Sequence, residues 1–232
     1  MDEEARRELP ASPLSIAERA LSLVLSGNPR ARVLALGGDH STALPVVRAL
    51  SRVHPGLGVV QLDAHTDLLP ERLGVLHCFG TWAYHANELL GRGGRLVQAG
   101  IRASARDRSH WESTLGVRQL WAAEVRRDPG AALDAILAQL RGAGVRSVYL
   151  SNDIDGTDPA FADATGTPEP GGLEPDWVRR LVRRLGSELG LCGGDVMEVA
   201  PRVARSPDGG ARTLSTAASY LIETIEAALS GQ

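Results

Sequence analysis

Residues 57–67 read LGVVQLDAHTD: a mostly apolar run without polar alternation, followed by Asp63, His65 and Asp67. Such a run is the pattern of a strand buried on both faces, the usual setting of a parallel sheet. Four further runs share it, RVLALGG (32–38), RLVQAGIR (95–102), RSVYLSNDID (146–155) and LCGGDVMEV (191–199), and GVRQLWAA (116–123) is a weaker sixth. Helical patterns fall between them. SPLSIAERALSLVLSG (12–27) opens with Ser12 at an N-cap position and Pro13 at the first helical position, and stops at Gly27. STALPVVRALSRV, GTWAYHANELLG, DPGAALDAILAQLRGAG and EPDWVRRLVRRLGSELG each precede a strand, and RTLSTAASYLIETIEAAL comes last. The alternation predicts a doubly wound α/β fold: a mostly parallel sheet in a three-layer α/β/α sandwich, one domain over residues 1–232.

Composition narrows the function classes. The chain has 232 residues, 43% hydrophobic and 23% charged, with a formal net charge of -3, so it carries no basic footprint for nucleic acid. No lysine occurs; every permanent positive side chain is an arginine. Cys78 and Cys192 are too few for a disulfide framework or a thiolate metal cage. The opening MDEEARRELPASP is acidic and polar, unlike a signal peptide, and no apolar run approaches the ~18 residues of a membrane span. These features lead us to expect a cytoplasmic protein. Neither a Gly-x-Gly-x-x-Gly nor a P-loop is present, which argues against a nucleotide-binding module.

Functional residues of doubly wound folds gather at the carboxyl ends of strands. There this chain has GGDHS (37–41), DAHTD (63–67), NDIDGTDP (152–159) and MEVAP (197–201). His40, Asp63, His65, Asp67, Asp153 and Asp155 together offer two imidazoles and four carboxylates, a donor set suited to divalent cations such as Mn²⁺. Four converging carboxylates without a cation would repel one another, and two divalent ions would balance them. Residues i and i+2 of a strand point the same way, so Asp63 with His65, and Asp153 with Asp155, are expected to face one site. Each cluster alone has a plainer reading. An Asp-x-His or Asp-x-Asp is commonly a solvated loop or a cap, His40 or Asp39 could cap the next helix, and Asp158-Pro159 reads as a turn. Glu198 could simply pair with Arg202. Three acid and histidine clusters at three strand ends favour the joint reading.

GGDHS, DAHTD, SNDIDGTDP (151–159) and TGTPEPGG (165–172) resemble the signature blocks of the ureohydrolases, the arginase/agmatinase family, in order from about Val33 onward. The resemblance implies a hydrolase that cleaves the C–N bond of a guanidino or amidino group with two manganese ions per chain, many members releasing urea. It implies that His40 and His65 are terminal ligands of separate ions and that Asp63 and Asp153 bridge them. Asp67 would complete the first ion and Asp155 the second, with Asp67 also contacting the attacking water. His77 lies at the position of a proton-relaying histidine, and Glu198 at that of the glutamate pairing with the guanidinium. Family members commonly form trimers or hexamers, so a homo-oligomer is a further expectation.

Three departures from the family pattern carry information. Only about one helix precedes GGDHS, where members usually have two additional strands, which predicts a smaller sheet with a newly exposed edge. Leu69 replaces the asparagine with which arginases hold the amino-acid end of arginine. An amine such as agmatine, or a shorter guanidino acid, is therefore expected over L-arginine. HCFGTW (77–82) departs from the agmatinase pattern as well. Asp163-Ala164 stands where the family has Pro-Gly, and Asn152 where an apolar residue is usual. Formiminoglutamate is a further substrate alternative, and a non-catalytic, partner-dependent relative is the alternative of a different class.

Overall fold

In the computed structural model, which describes residues 12–230, all six expected strands form one parallel sheet. They are β1 (Val33–Leu36), β2 (Leu57–Leu62), β3 (Leu96–Ile101), β4 (Arg118–Trp121), β5 (Ser147–Asn152) and β6 (Leu191–Val196). The order across the sheet is β1-β6-β5-β2-β3-β4. Among the described residues eight α-helices accompany it: α1 (Pro13–Gly27), α2 (Ala43–Val53), α3 (Trp82–Leu90), α4 (Arg108–Leu115), α5 (Ala122–Arg127), α6 (Pro129–Gly142), α7 (Pro175–Glu188) and α8 (Gly209–Ser230). Helices α4 and α5 are short and lacked an apolar period that would have announced them. The reading of residues 1–11 as an acidic, non-signal segment lies outside the described residues.

Two cores flank the sheet. Residues of α1 to α4, among them Leu25, Leu44, Leu50, Trp82 and Trp111, pack on one face with Leu57 and Val59. Residues of α5 to α8, among them Val125, Ile136, Leu181, Leu185 and Tyr220, pack on the other with Val60 and Leu62. This division follows from the strand order. The chain moves toward β4 through helices of the first face and back toward β1 through helices of the second, as right-handed crossovers require. Direction reverses between β2 and β5, so the connections leaving these neighbours part and open a crevice at their carboxyl ends.

Among the described residues β1 pairs only with β6, the place of the expected exposed edge, and Leu36 is 73% exposed. Ser12 occupies the N-cap of α1, but its hydroxyl makes no capping bond; its carbonyl accepts from Ser15 Oγ and the Ile16 N–H instead. Among the described residues no helix is long and apolar enough to cross a membrane.

One correction concerns strand ends. β2 stops at Leu62 and β5 at Asn152, so the paired acids lie beyond the pleat whose period was to aim them. The Asp63 carboxylate accepts from His65 N–H (2.6 Å), and the Asp153 carboxylate accepts from Asp155 N–H (2.9 Å). These local turns replace the ladder and still bring residues i and i+2 to one side.

The second turn sits tightly against the first. A Cβ on Gly156 would lie 2.7 Å from Asp63 N and 2.9 Å from the Leu62 carbonyl carbon. Gly156→Ala is therefore expected to lower the unfolding free energy by about 1–3 kcal/mol, because the obstructing atoms are backbone and cannot rotate away. Urea denaturation of the two proteins measures the difference; an unchanged midpoint would show that the β2 and β5 turns are not in this contact.

Candidate metal centre

His40 begins a 3₁₀ turn (His40–Thr42) capped by the Asp39 carboxylate on Ser41 N–H (2.8 Å). Its ring is fully buried, with Nδ1 3.1 Å from Asp153 Oδ2, 3.3 Å from Asp63 Oδ2 and 3.5 Å from Asp67 Oδ2. His65 Nδ1 lies 3.1 Å from Asp155 Oδ2 and 3.5 Å from Asp63 Oδ1. Two groups of donors result, each gathered within 4.8 Å: His40, Asp63 and Asp67, and Asp63, His65 and Asp155. They share Asp63. Asp153 adjoins the first through His40 Nδ1. These six side chains and Glu198 line one cavity of about 680 Å³.

The solvated-loop reading fails for the acids, since Asp63, Asp153 and Asp155 are at most 4% exposed. Burial pushes the carboxyl groups of Asp67, Asp153 and Asp155 above the ordinary carboxylate range, and the neighbouring Asp63 charge adds to it. Burial acts the same way on Asp63, but hydrogen bonds and charge from His40 and His65 overcome it and hold that carboxyl low. Hydrogen bonds from His65 to Asp155 and Asp63 raise the imidazole to about 11. In His40, burial opposes the proton, yet Asp153 and Asp63 more than compensate and raise its pKa. Two imidazolium protons cannot balance four carboxylates. The oxygen and nitrogen donors, shared Asp63 and excess negative charge fit a pair of divalent cations.

Residues that the sequence did not single out hold this set in place. The Ser151 hydroxyl donates to Asp195 Oδ2 (2.8 Å), which leaves its oxygen to accept from His40 Nε2–H (2.9 Å). Asp195 also accepts from Tyr149 O–H (2.6 Å) and Asn152 N–H (2.8 Å). This chain keeps a proton on Nε2 and turns Nδ1 toward the carboxylates. The Trp82 ring lies 4.5 Å from that of His40, and its N–H donates to Asp67 Oδ2 (3.0 Å). Arg102 ties the ends of β3 and β5 together through the carbonyls of Gly100, Asp155 and Glu169.

A third support crosses the sheet. Gln61 donates to Asp63 Oδ2 (2.7 Å), Gln98 to Gln61 (2.6 Å) and Gln119 to Gln98 (2.8 Å), all three being fully buried. Parallel register aligns them, Gln61 opposite Gln98 and Gln98 opposite Gln119. Their signal in the sequence is a lone glutamine in each of three apolar runs, legible only once the strands are known to be neighbours.

Two site residues adopt left-handed backbone, Asp67 (φ 50°) and Glu198 (φ 61°). Such strain at non-glycine residues gathers where function demands an orientation. Glu198 Oε1 accepts from His40 N–H (2.8 Å), and among the described residues it forms no ion pair with Arg202. Burial raises its pKa. His77 stands apart. Its ring is not on the cavity wall; it packs edge-on against His85 (4.8 Å) and meets Arg48 Nη2 (3.2 Å). Burial, then the Arg48 charge, lowers its pKa. Asp158 accepts from Ala160, Gly171 and Gly172 N–H groups, as a turn residue does, and Asp163 accepts from Ser206 Oγ (2.6 Å) to fasten its loop to the segment leading into α8. Asn152 remains buried with its Nδ2 unpartnered among the described residues.

Two outcomes test this geometry. Ser151→Ala should leave the protein folded and weaken Mn²⁺ binding by roughly 10–100-fold, measured by calorimetric titration, because His40 loses its fixed tautomer. Undiminished affinity would sever the chain from the metal ligands. Mn²⁺ addition to metal-free protein at pH 7 should also release protons, since His65 titrates near 11 and must be neutral to bind. Binding enthalpy should then vary with the ionisation enthalpy of the buffer; a buffer-independent value contradicts it.

Comparison with known proteins agrees with the geometry. Residues 7–226 match the arginase family. A guanidinobutyrase of Pseudomonas aeruginosa is 39% identical over 173 residues, covering 72% of this chain and 53% of that protein. An agmatinase of Serratia proteamaculans is 41% identical over 177 residues, covering 75% and 54% respectively. The chain thus spans about half the length of these relatives. Among solved structures, proclavaminate amidinohydrolase from Streptomyces clavuligerus superposes with a TM-score of 0.81 at 36% identity, over 94% of this chain and 71% of that one. Signature blocks, sheet and clustered donors converge, and the chain belongs to the arginase family.

Proposed function

We propose that this protein, acting as one domain, hydrolyses the guanidino C–N bond of a small molecule to urea and an amine, with two Mn²⁺ ions per chain. The observation that carries the reading is the pair of donor groups sharing Asp63 in a cavity that also holds Glu198. His40, Asp63, Asp67 and Asp153 would hold one cation; Asp63, His65, Asp153 and Asp155 would hold the other. When bound, two such cations supply the charge that lets water ionise near neutral pH.

The chain's own residues then orient and stabilise. Glu198 Oε1 is occupied by the His40 N–H, which leaves Oε2 to accept from a planar guanidinium. The left-handed backbone at Glu198 helps set that direction, and a guanidinium accepted there would be oriented instead of diffusing. Asp67, pinned by the Trp82 N–H, keeps its other oxygen for the attacking water. The family resemblance gives His77 the proton transfer to the departing amine. Since its ring lies off the cavity wall against Arg48 and His85, it would act from outside that wall and not by direct contact with the cluster. Its lowered pKa keeps it neutral at pH 7, so it must first take up a proton and then deliver it.

The test is direct. Purified protein loaded with Mn²⁺ should release urea from at least one member of a panel containing agmatine, 4-guanidinobutanoate and L-arginine, and Asp153→Ala should abolish it. No urea from any compound, together with less than one bound metal per chain, would refute the reading.

A further inference from the structure

The floor of the cavity is lined by acids and histidines; its mouth carries charges of the other kind. Above the acids the wall is built from Leu69, Phe79 and Trp111, and two arginines border it, Arg72 and Arg106. Arg72 begins a tight turn, closed by paired hydrogen bonds between Arg72 and Val75 (3.0 and 2.9 Å). Leu73 (φ 52°) and Gly74 (φ 77°) lie at its tip. The turn returns the chain so that the Arg72 guanidinium lies over the Phe79 ring, 4.6 Å from its centre. Arg106 sits in the connection between β3 and α4, on a different segment. Among the described residues neither side chain forms an ion pair. Asp107, next in sequence to Arg106, uses its carboxylate to cap α4 through His110 N–H (2.8 Å) and Ser109 Oγ (3.0 Å).

Resting on the function proposed above, we propose that the substrate is an ω-guanidino carboxylic acid whose carboxylate is received by Arg72 and Arg106. A guanidinium held at Glu198 leaves the rest of a short chain to run along Leu69, Phe79 and Trp111, and its far end meets the arginines. A carboxylate there gains charge-assisted hydrogen bonds of the bidentate kind that a guanidinium favours. An ammonium at the same place meets like charge. The one other acid of the wall besides the metal-binding set and Glu198 is Asp39, whose Oδ1 already accepts from Ser41 N–H. Agmatine and 4-guanidinobutanoate have closely similar length and differ chiefly in the sign of that end. Between the amine and the shorter guanidino acid that the loop after Asp67 left open, the mouth selects the acid.

Initial rates on the Mn²⁺-loaded protein decide it, with both compounds compared in the wild type, Arg72→Ala, Arg106→Ala and the double variant. The wild type should favour 4-guanidinobutanoate in kcat/KM by roughly tenfold or more, about 1.4 kcal/mol, and the preference should shrink with added salt. In the double variant the ratio should fall to within about twofold of unity, chiefly through a higher KM for the acid, and Arg72→Lys should restore part of it. A wild-type preference for agmatine, or a double variant with an undiminished ratio, overturns the assignment. If neither compound turns over, the proposed reaction is judged separately by the whole panel and the bound metal. Calorimetric binding of the two compounds then reads the mouth alone, and equal affinity overturns the role of the arginines.

Discussion

Repulsion among four carboxylates is the constraint around which this molecule is arranged. Asp63, Asp67 and Asp153 lie within 3.5 Å of His40 Nδ1, and Asp63 and Asp155 within 3.5 Å of His65 Nδ1, with the acid side chains at most 9% exposed. In a medium of low effective dielectric such charges are costly unless each has donors or cations about it. Asp63 shows how the requirement is met. One oxygen receives Gln61 and faces His40, and the other receives the His65 N–H. It is the one acid common to both donor groups. In the remaining acids burial first, and the neighbouring carboxylate charge second, raises the pKa values.

The scaffold serves this charge cluster through buried polar chains, each anchored in the sheet. Asp195 reaches His40 through Ser151, and the glutamine ladder runs from Gln119 to Asp63 across three neighbouring strands. A buried polar network is favourable only when nearly every member finds a partner. These chains satisfy that condition because parallel strands in register repeat the same side-chain spacing from one strand to the next. Strand order does the rest. With β2 and β5 adjacent and their connections diverging, the two richest acid turns face each other at the crevice.

Floor and mouth of the cavity answer different chemical questions. The floor is built from rigid turns and carries the donors suited to cations and to a guanidinium. The mouth is built from the loop after Asp67 and the loop after β3, where exposed arginines and aromatic rings meet solvent. Loops on a fixed scaffold can vary without disturbing the core, and the proposed discrimination between guanidino acids and amines would reside there.

All six strands and six of the eight described helices were legible in the sequence, and so were the six acids and histidines that the structure brings to one cavity. Burial of a parallel strand on two faces requires an apolar run, and a polar cluster at its end interrupts that run visibly. Glu198 was legible only through family resemblance, since a lone acid at a strand end has no pattern of its own. The strand boundaries were misread by one to three residues, because Asp63 and Asp153 capture the next turn with their own side chains. What only the tertiary structure decided is which distant residues share an environment. His40 meets Asp153 across 113 positions, three isolated glutamines become one ladder, His77 turns to Arg48 and His85, and Arg72 and Arg106 come to border one opening. Local sequence records the propensity of a segment and the chemistry of its ends. Proximity between segments depends on strand order and crossover, which arise only when the whole sheet assembles.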